Sequence, residues 1–132
     1  MIVVDTSAWV EFLRSTRSRV DRRLTEAIRS ETPLGVPDIV RLELLAGAGS
    51  EAAAGELSRL LARFTALPAS SPADHDLGAA LYREVRRTGQ TVRSLVDCLV
   101  AATALRLDLP VLARDKDFEL LAAISALRLE AG

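Results

Sequence analysis

Short apolar runs alternate with longer amphipathic segments along the whole chain. The apolar runs predict buried strands, at 2–4, 34–37, 64–68 and 109–113. Between them, apolar residues recur at helical spacing and predict helices, at about 7–13, 20–30, 38–47, 51–63, 77–87 and 95–107, with a last helix after residue 114. Segment 69–76 is predicted to form a turn and the cap of the next helix, and 127–129 an edge strand.

This alternation of strands and helices predicts an α/β fold. Short, continuously apolar strands are typical of a mostly parallel central sheet, here of four to five strands, with helices on both faces. The length fits a single domain that covers residues 1–132.

The composition predicts an aliphatic core, because 49% of the residues are hydrophobic but only 4% are aromatic. Leu13 is expected in this core, whereas Trp9 could lie in the core or line a groove for a partner. Cys98 is the only cysteine, so the chain cannot form an intrachain disulfide. The apolar runs are too short to span a membrane, and no signal-peptide pattern follows Met1. A cytoplasmic protein without a membrane partner is therefore expected.

The charges are almost balanced, with 17 basic and 18 acidic residues and a net charge of −1. A strongly basic surface would attract nucleic acid over long distances, and this chain has no such excess. A polyanionic partner would therefore have to bind local arginine patches.

Acidic side chains are expected to gather where the strands end. Asp5 directly follows the run 2–4, and Asp115 and Asp117 follow the run 109–113. Asp97 falls in the first turn of the helix 95–107, and Glu43 in the second turn of the helix after 34–37. In an open parallel sheet, ligands bind beyond the carboxyl ends of the strands. The five carboxylates are therefore predicted to share one edge of the sheet.

Clustered carboxylates need a compensating partner. Two of them about 5 Å apart repel by roughly 3 kcal/mol at an effective dielectric constant of about 20. Such a cluster takes up protons or binds cations. Carboxylate and water ligands suit Mg²⁺ or Mn²⁺, which can activate a water against a phosphodiester.

Each acid also has a purely structural interpretation. Asp5 could cap the first helix, and Asp115 or Asp117 the last one. Asp97 fits a capping box with Ser94. Glu43 could pair with an arginine.

Four segments in this order, IVVDTSAW, RLELLAG, RSLVDCLVAATAL and VLARDKDF, resemble the motifs of PIN-domain ribonucleases. The resemblance is greatest to the VapC toxins of bacterial VapBC toxin–antitoxin pairs and covers nearly the whole chain. It implies a single PIN-like domain with endoribonuclease activity that depends on Mg²⁺ or Mn²⁺. It also implies an RNA substrate, a homodimer and a cognate VapB-type antitoxin.

The resemblance assigns the catalytic and metal-binding positions to four acids, Asp5, Glu43, Asp97 and Asp115. Asp117 is a further candidate ligand, because some family members carry the acid there and an asparagine at the place of Asp115. Ser7 matches a small polar residue beside the metal site, and Thr6 is expected to support the site with it. Arg93, just before the helix that carries Asp97, is the candidate contact for the RNA backbone.

Two other functions remain open at this point. A non-catalytic PIN-like binding module would keep the fold and lose the metal site, and the intact set of acids argues against it. A Mg²⁺-dependent phosphohydrolase of small phosphate esters often has a second acid two residues after the strand-end aspartate. Here that position is Ser7.

Overall fold

The computed structural model describes residues 1–131, in which four parallel strands form a single sheet. The strand order is β3-β2-β1-β4. The strands are β1 (Ile2–Val4), β2 (Leu34–Pro37), β3 (Thr65–Leu67) and β4 (Val111–Leu112). Val3 of the central strand is in register with Gly35 on one side and Val111 on the other. The predicted parallel sheet is confirmed. Residues 127–129 contribute one parallel bridge, between Leu129 and Val111, rather than a full strand.

Seven helices surround the sheet in the described residues. They are α1 (Thr6–Leu13), α2 (Arg19–Arg29), α3 (Asp38–Ala46), α4 (Glu51–Leu61), α5 (Ala73–Arg87), α6 (Leu95–Leu107) and α7 (Asp117–Ala123). Every residue of β1, β2 and β4 is buried. Because successive strand residues point to opposite faces, both faces of the sheet are covered, as the sequence predicted.

The helix predicted at 77–87 begins four residues earlier than expected, since α5 starts at Ala73, within the segment predicted as a turn and cap. Pro72 precedes the helix, and Asp74 and Asp76 lie in its first turn, where acidic side chains favour the helix dipole. The polar residues of the segment therefore lie at a helix start, as the predicted cap implied, but the helix includes them from Ala73 onwards.

The core is mainly aliphatic and contains two fully buried aromatic residues, Trp9 and Phe118. Trp9 has no exposed surface and packs against Phe12 and Phe64, so it belongs to the core rather than to a surface groove. Cys98 is buried as expected. The prediction for Leu13 is wrong, since this last residue of α1 is 46% exposed. No helix in the described part of the chain combines the length and apolarity that a membrane span requires.

Asp74 ties α5 to α6 through a buried polar network. Its carboxylate, 1% exposed, accepts hydrogen bonds from Arg106 Nε at 2.7 Å, Thr103 Oγ1 at 2.9 Å and the Ser70 backbone N–H at 2.9 Å. Burial alone would raise the pKa of Asp74, but the hydrogen bonds and the charge of Arg106 hold it below its usual value. The network therefore favours the charged carboxylate.

Replacing Asp74 by alanine is expected to lower the free energy of unfolding by about 2 kcal/mol, because it leaves Arg106, the buried Thr103 hydroxyl and one backbone N–H without their acceptor. This value is below that of a fully buried pair, since the Arg106 side chain is 34% exposed. Urea denaturation of the variant measures the loss. Asp76→Ala, an exposed position in the same turn, is the matched control, and an equal midpoint for both variants would contradict the assignment.

Candidate metal centre

The structure places the five predicted acids next to one another, at the edge of the sheet where β1 and β4 end. Asp5 joins β1 to α1, and Asp115 lies between β4 and α7. Asp97 lies in the first turn of α6, and Asp117 is the first residue of α7. Glu43 projects from α3, which directly follows β2.

The closest group consists of Asp97, Asp115 and Asp117. Each offers a carboxylate oxygen, and these three oxygens lie within 4.8 Å of one another. Asp5 is close enough to Asp97 for its charge to raise the pKa of Asp97, and Glu43 acts on Asp5 in the same way. The five acids therefore form one continuous electrostatic cluster.

Asp5 caps α1 with only one of its two carboxylate oxygens. Its Oδ2 accepts hydrogen bonds from the Ser7 backbone N–H at 3.0 Å and from Ser7 Oγ at 2.7 Å. Ser7 Oγ in turn accepts the Arg114 backbone N–H at 2.9 Å and so connects the segments after β1 and β4. Oδ1 of Asp5 is buried and has no hydrogen-bond partner. The capping interpretation of Asp5 is therefore correct, and it leaves one buried oxygen for another ligand.

Glu43 is held by Thr6, whose hydroxyl donates to Glu43 Oε1 at 2.7 Å. Among the described residues no arginine forms an ion pair with Glu43, and Arg41 donates to Ser58 instead. The salt-bridge interpretation of this half-buried acid is therefore wrong.

Asp97 does not form the capping box that its spacing suggests. Ser94 Oγ accepts the Val96 backbone N–H at 3.2 Å, as a cap does, but the Ser94 backbone N–H donates to Asp117 and not to Asp97. Oδ2 of Asp97 is buried and has no partner. Together with Oδ1 of Asp5, it is one of two buried carboxylate oxygens within residues 1–131 that have no hydrogen-bond partner.

Comparison with known proteins agrees with this geometry. The PIN domain family profile matches residues 2–124. The chain is 36% identical to Ribonuclease VapC11 of Mycobacterium tuberculosis over 129 residues, which are 97% of this chain and 96% of the relative. The same values hold for VapC ribonuclease Mb1587 of Mycobacterium bovis. The chain belongs to the PIN-domain family, among the VapC ribonucleases.

Solved structures show the same fold at lower identity. VapBC2 from Rickettsia felis, bound to a promoter DNA fragment, superposes with a TM-score of 0.77 at 20% identity over 98% of each chain. VapC20 of M. tuberculosis, a sarcin-ricin loop cleaving toxin, gives a TM-score of 0.65 at 22% identity over 97% of this chain and 99% of that one. The family resemblance inferred from the four sequence motifs is confirmed.

The acids of this PIN domain are poorly compensated electrostatically. Burial, the charge of Asp5, a hydrogen bond that protonated Asp97 donates to Asp117, and the charges of Asp115 and Asp117 raise the pKa of Asp97 to about 9. Burial also raises the pKa of Asp5, against the opposing effect of its hydrogen bonds from Ser7. No ion pair in the described part of the chain involves any of the five acids. The cluster therefore either takes up protons or binds a cation.

The residues present fit a divalent cation that prefers oxygen ligands. The donors are carboxylates, and two of their buried oxygens have no other partner. The neighbouring Cys98 is a poor ligand, because burial and the charges of Asp97 and Asp117 raise the pKa of its thiol to about 11. Oxygen-only donor sets of this kind suit Mg²⁺ and Mn²⁺ better than Zn²⁺ or copper.

Three backbone N–H groups that support the site were not apparent from the sequence. The Arg114 backbone N–H supports Ser7 although 107 positions separate the two residues, and Asp117 binds the amides of Arg93 and Ser94. Only the position of Arg114 beside Asp115 could have indicated a role near the site. Every residue except proline has a backbone N–H, so the sequence does not indicate which of them donate to the site.

Thr6→Val is expected to weaken Mn²⁺ binding by about tenfold, because Glu43 loses the hydroxyl that orients it. Thr6→Ser keeps the donor and serves as the matched control. Isothermal titration of the two variants with Mn²⁺ measures the difference. Equal affinities would show that the hydroxyl does not position Glu43.

Proposed function

We propose that residues 1–132 act as one domain, a metal-dependent endoribonuclease that is the toxin of a type II toxin–antitoxin pair. The pair of buried, unpartnered oxygens on Asp5 and Asp97, within a cluster of five acids, carries this proposal. The relatives named ribonuclease, matched over 97% of the chain, support it.

In this proposal Asp5, Asp97, Asp115 and Glu43 hold Mg²⁺ or Mn²⁺, directly or through water. A cation held by these acids would supply a water of lowered pKa and would neutralise charge on the phosphodiester. Ser7 fixes the orientation of Asp5, and Thr6 that of Glu43. The only histidine of the chain, His75, is exposed on α5 and is not required as a base.

RNA would reach this negative site by way of nearby arginines. Arg93 is exposed and directly precedes the start of α6. A cavity of about 590 Å³ opens beside Asp115, and Arg19 and Arg114 are among its lining residues. With 4% aromatic residues the chain has few side chains on which bases could stack. We therefore infer that backbone contacts and RNA shape contribute more to target choice than base stacking does.

The proposed partners are a VapB-type antitoxin and a second copy of the chain, in the cytoplasm. An apolar cavity of about 550 Å³ between α1, α3 and α4 contains the exposed Leu13 and reaches Thr6 and Glu43, so an antitoxin segment bound there would lie beside the metal centre. Leu42 and Leu95, 61% and 67% exposed, are candidate contacts of the homodimer.

The proposal is tested with the purified protein and a pool of structured RNA. Discrete cuts are expected with Mg²⁺ or Mn²⁺, and none with EDTA or with an Asp97→Asn protein purified in parallel. Equal cutting by both proteins would indicate a contaminant. Absence of both cutting and metal binding would contradict the proposal and favour a non-catalytic binding module.

A further inference from the structure

Asp117 is buried and makes its hydrogen bonds across the fold rather than within its own helix. Its side chain is 2% exposed, and Oδ2 accepts the backbone N–H groups of Arg93 at 2.9 Å and Ser94 at 3.2 Å. These two residues lie 24 and 23 positions earlier in the chain, immediately before α6.

Asp117 is itself held in place from the β4 side. Its backbone N–H donates to Asp115 Oδ1 at 2.9 Å, so Asp115, Asp117 and the start of α6 form one connected series of hydrogen bonds. Ser94 then caps α6 through the Val96 backbone N–H. Asp97 follows three residues after Ser94 on this fixed first turn. The position of Asp97 relative to Asp115 therefore depends on the contacts of Asp117.

We propose that Asp117 is a positioning residue that fixes the start of α6, and hence Asp97, instead of a direct ligand of the metal. This inference rests on the proposed metal-dependent function. Its Oδ2 is already bound to two amides, and turning this oxygen towards an ion would leave both of these part-buried donors without their acceptor. Partners of this kind, which orient the ligands of a metal, typically affect metal affinity or activity by about 10- to 100-fold when they are removed.

The two roles predict different effects for the amide variant Asp117→Asn. Asparagine keeps an oxygen that can accept from Arg93 and Ser94, but its amide nitrogen cannot bind a cation. For a positioning residue, Asp117→Asn retains Mn²⁺ affinity within about threefold, whereas Asp117→Ala loses about 10- to 100-fold. For a direct ligand, both variants lose affinity as severely as Asp115→Asn.

Two measurements test the proposal, and neither requires RNA cleavage. Calorimetric titration gives Mn²⁺ affinity, and hydrogen exchange of the metal-free protein reports the Arg93 and Ser94 amides. Both amides are expected to remain protected in the wild type, in Asp117→Asn and in Asp115→Asn, and to exchange faster in Asp117→Ala. Glu119→Gln, an exposed position two residues further along α7, is the control for surface charge.

The proposal is overturned if Asp117→Asn loses Mn²⁺ affinity like Asp115→Asn while the two amides stay protected. It is also overturned if Asp117→Ala leaves their exchange unchanged. If Asp117→Ala does not fold, the comparison of Asp117→Asn with Asp115→Asn still decides between the two roles. A wild-type protein that binds Mn²⁺ but cuts no RNA would count against the proposed function and leave this assignment intact.

Discussion

Replacing Asp97 by asparagine is expected to abolish RNA cleavage and, in the same protein, to raise the melting temperature of the metal-free form. The loss of a metal ligand removes several kcal/mol of transition-state stabilisation, which corresponds to a rate decrease of about 1000-fold or more. The charge of Asp97 is also unfavourable in the fold, since burial and three neighbouring acids raise its pKa to about 9. A neutral amide of the same shape avoids this cost.

The expected increase in melting temperature is about 4 °C, the shift that about 1 kcal/mol produces in a domain of this size. Calorimetry in EDTA gives the melting temperature, and single-turnover cleavage gives the rate. Asp76→Asn, an exposed position on α5, is the control for a change of net charge. If Asp97→Asn were instead less stable than the wild type, Asp97 would make a stabilising contact that is not among the hydrogen bonds observed in this fold.

The second large effect expected is stabilisation of the wild-type protein by Mg²⁺ or Mn²⁺ in a pH-dependent manner. At a concentration about 100 times the dissociation constant, an ion that binds only the folded state adds about 2.7 kcal/mol to the free energy of unfolding. For this domain, that corresponds to an increase of about 10 °C in melting temperature. The increase should be smaller at pH 6 than at pH 8.5, because protons compete with the ion for Asp97.

The pH dependence of the stability of the metal-free protein follows from the raised pKa of Asp97. The folded-state pKa of Asp97, about 9, lies above the ordinary value of 3.8 that applies to the unfolded chain. Between these two values the folded state binds more protons than the unfolded state. The stability that Asp97 contributes is therefore fully present at low pH and is lost as the pH rises towards 9.

Denaturation of the wild type and of Asp97→Asn across pH 5 to 9, in EDTA and in Mn²⁺, isolates this effect. Subtracting the variant's free energy of unfolding from that of the wild type cancels the contributions of the other titratable groups. One of these is Asp74, whose lowered pKa gives the opposite pH dependence. In EDTA the variant should become increasingly more stable than the wild type as the pH rises. In Mn²⁺ the wild type should be the more stable protein, because only it keeps the full set of ligands. If the two proteins showed parallel plots of unfolding free energy against pH in all conditions, Asp97 would neither have a raised pKa nor bind the ion.

The sequence was sufficient to predict the sheet, because its signals are local. Runs such as Ile2–Val4 and Leu34–Pro37 are buried on both faces and are therefore continuously apolar. The order of the elements then places Asp5 and Asp115 at adjacent strand ends, since β1 and β4 are parallel neighbours. The proximity of the acids could be predicted for this reason.

The details that the sequence did not predict depend on contacts between distant residues. Glu43 pairs with Thr6 rather than with an arginine because α3 packs against α1. This contact joins residues that are 37 positions apart in the chain. The exposure of Leu13 depends on where the covering helices end, which helical spacing does not define. The roles of Asp115 and Asp117 could not be separated, because the motif shows two acids but not the distant amides, 24 and 23 positions away, that bind Asp117.

The end groups of the RNA products test the central claim most directly. With an exposed histidine and a carboxylate cluster that fits a divalent cation, the account predicts products with a 5′-phosphate and a 3′-hydroxyl, formed only when Mg²⁺ or Mn²⁺ is present. Ligation of an adaptor that requires a 5′-phosphate, followed by sequencing, detects them. Products that end in a 2′,3′-cyclic phosphate and form equally well in EDTA would contradict the account.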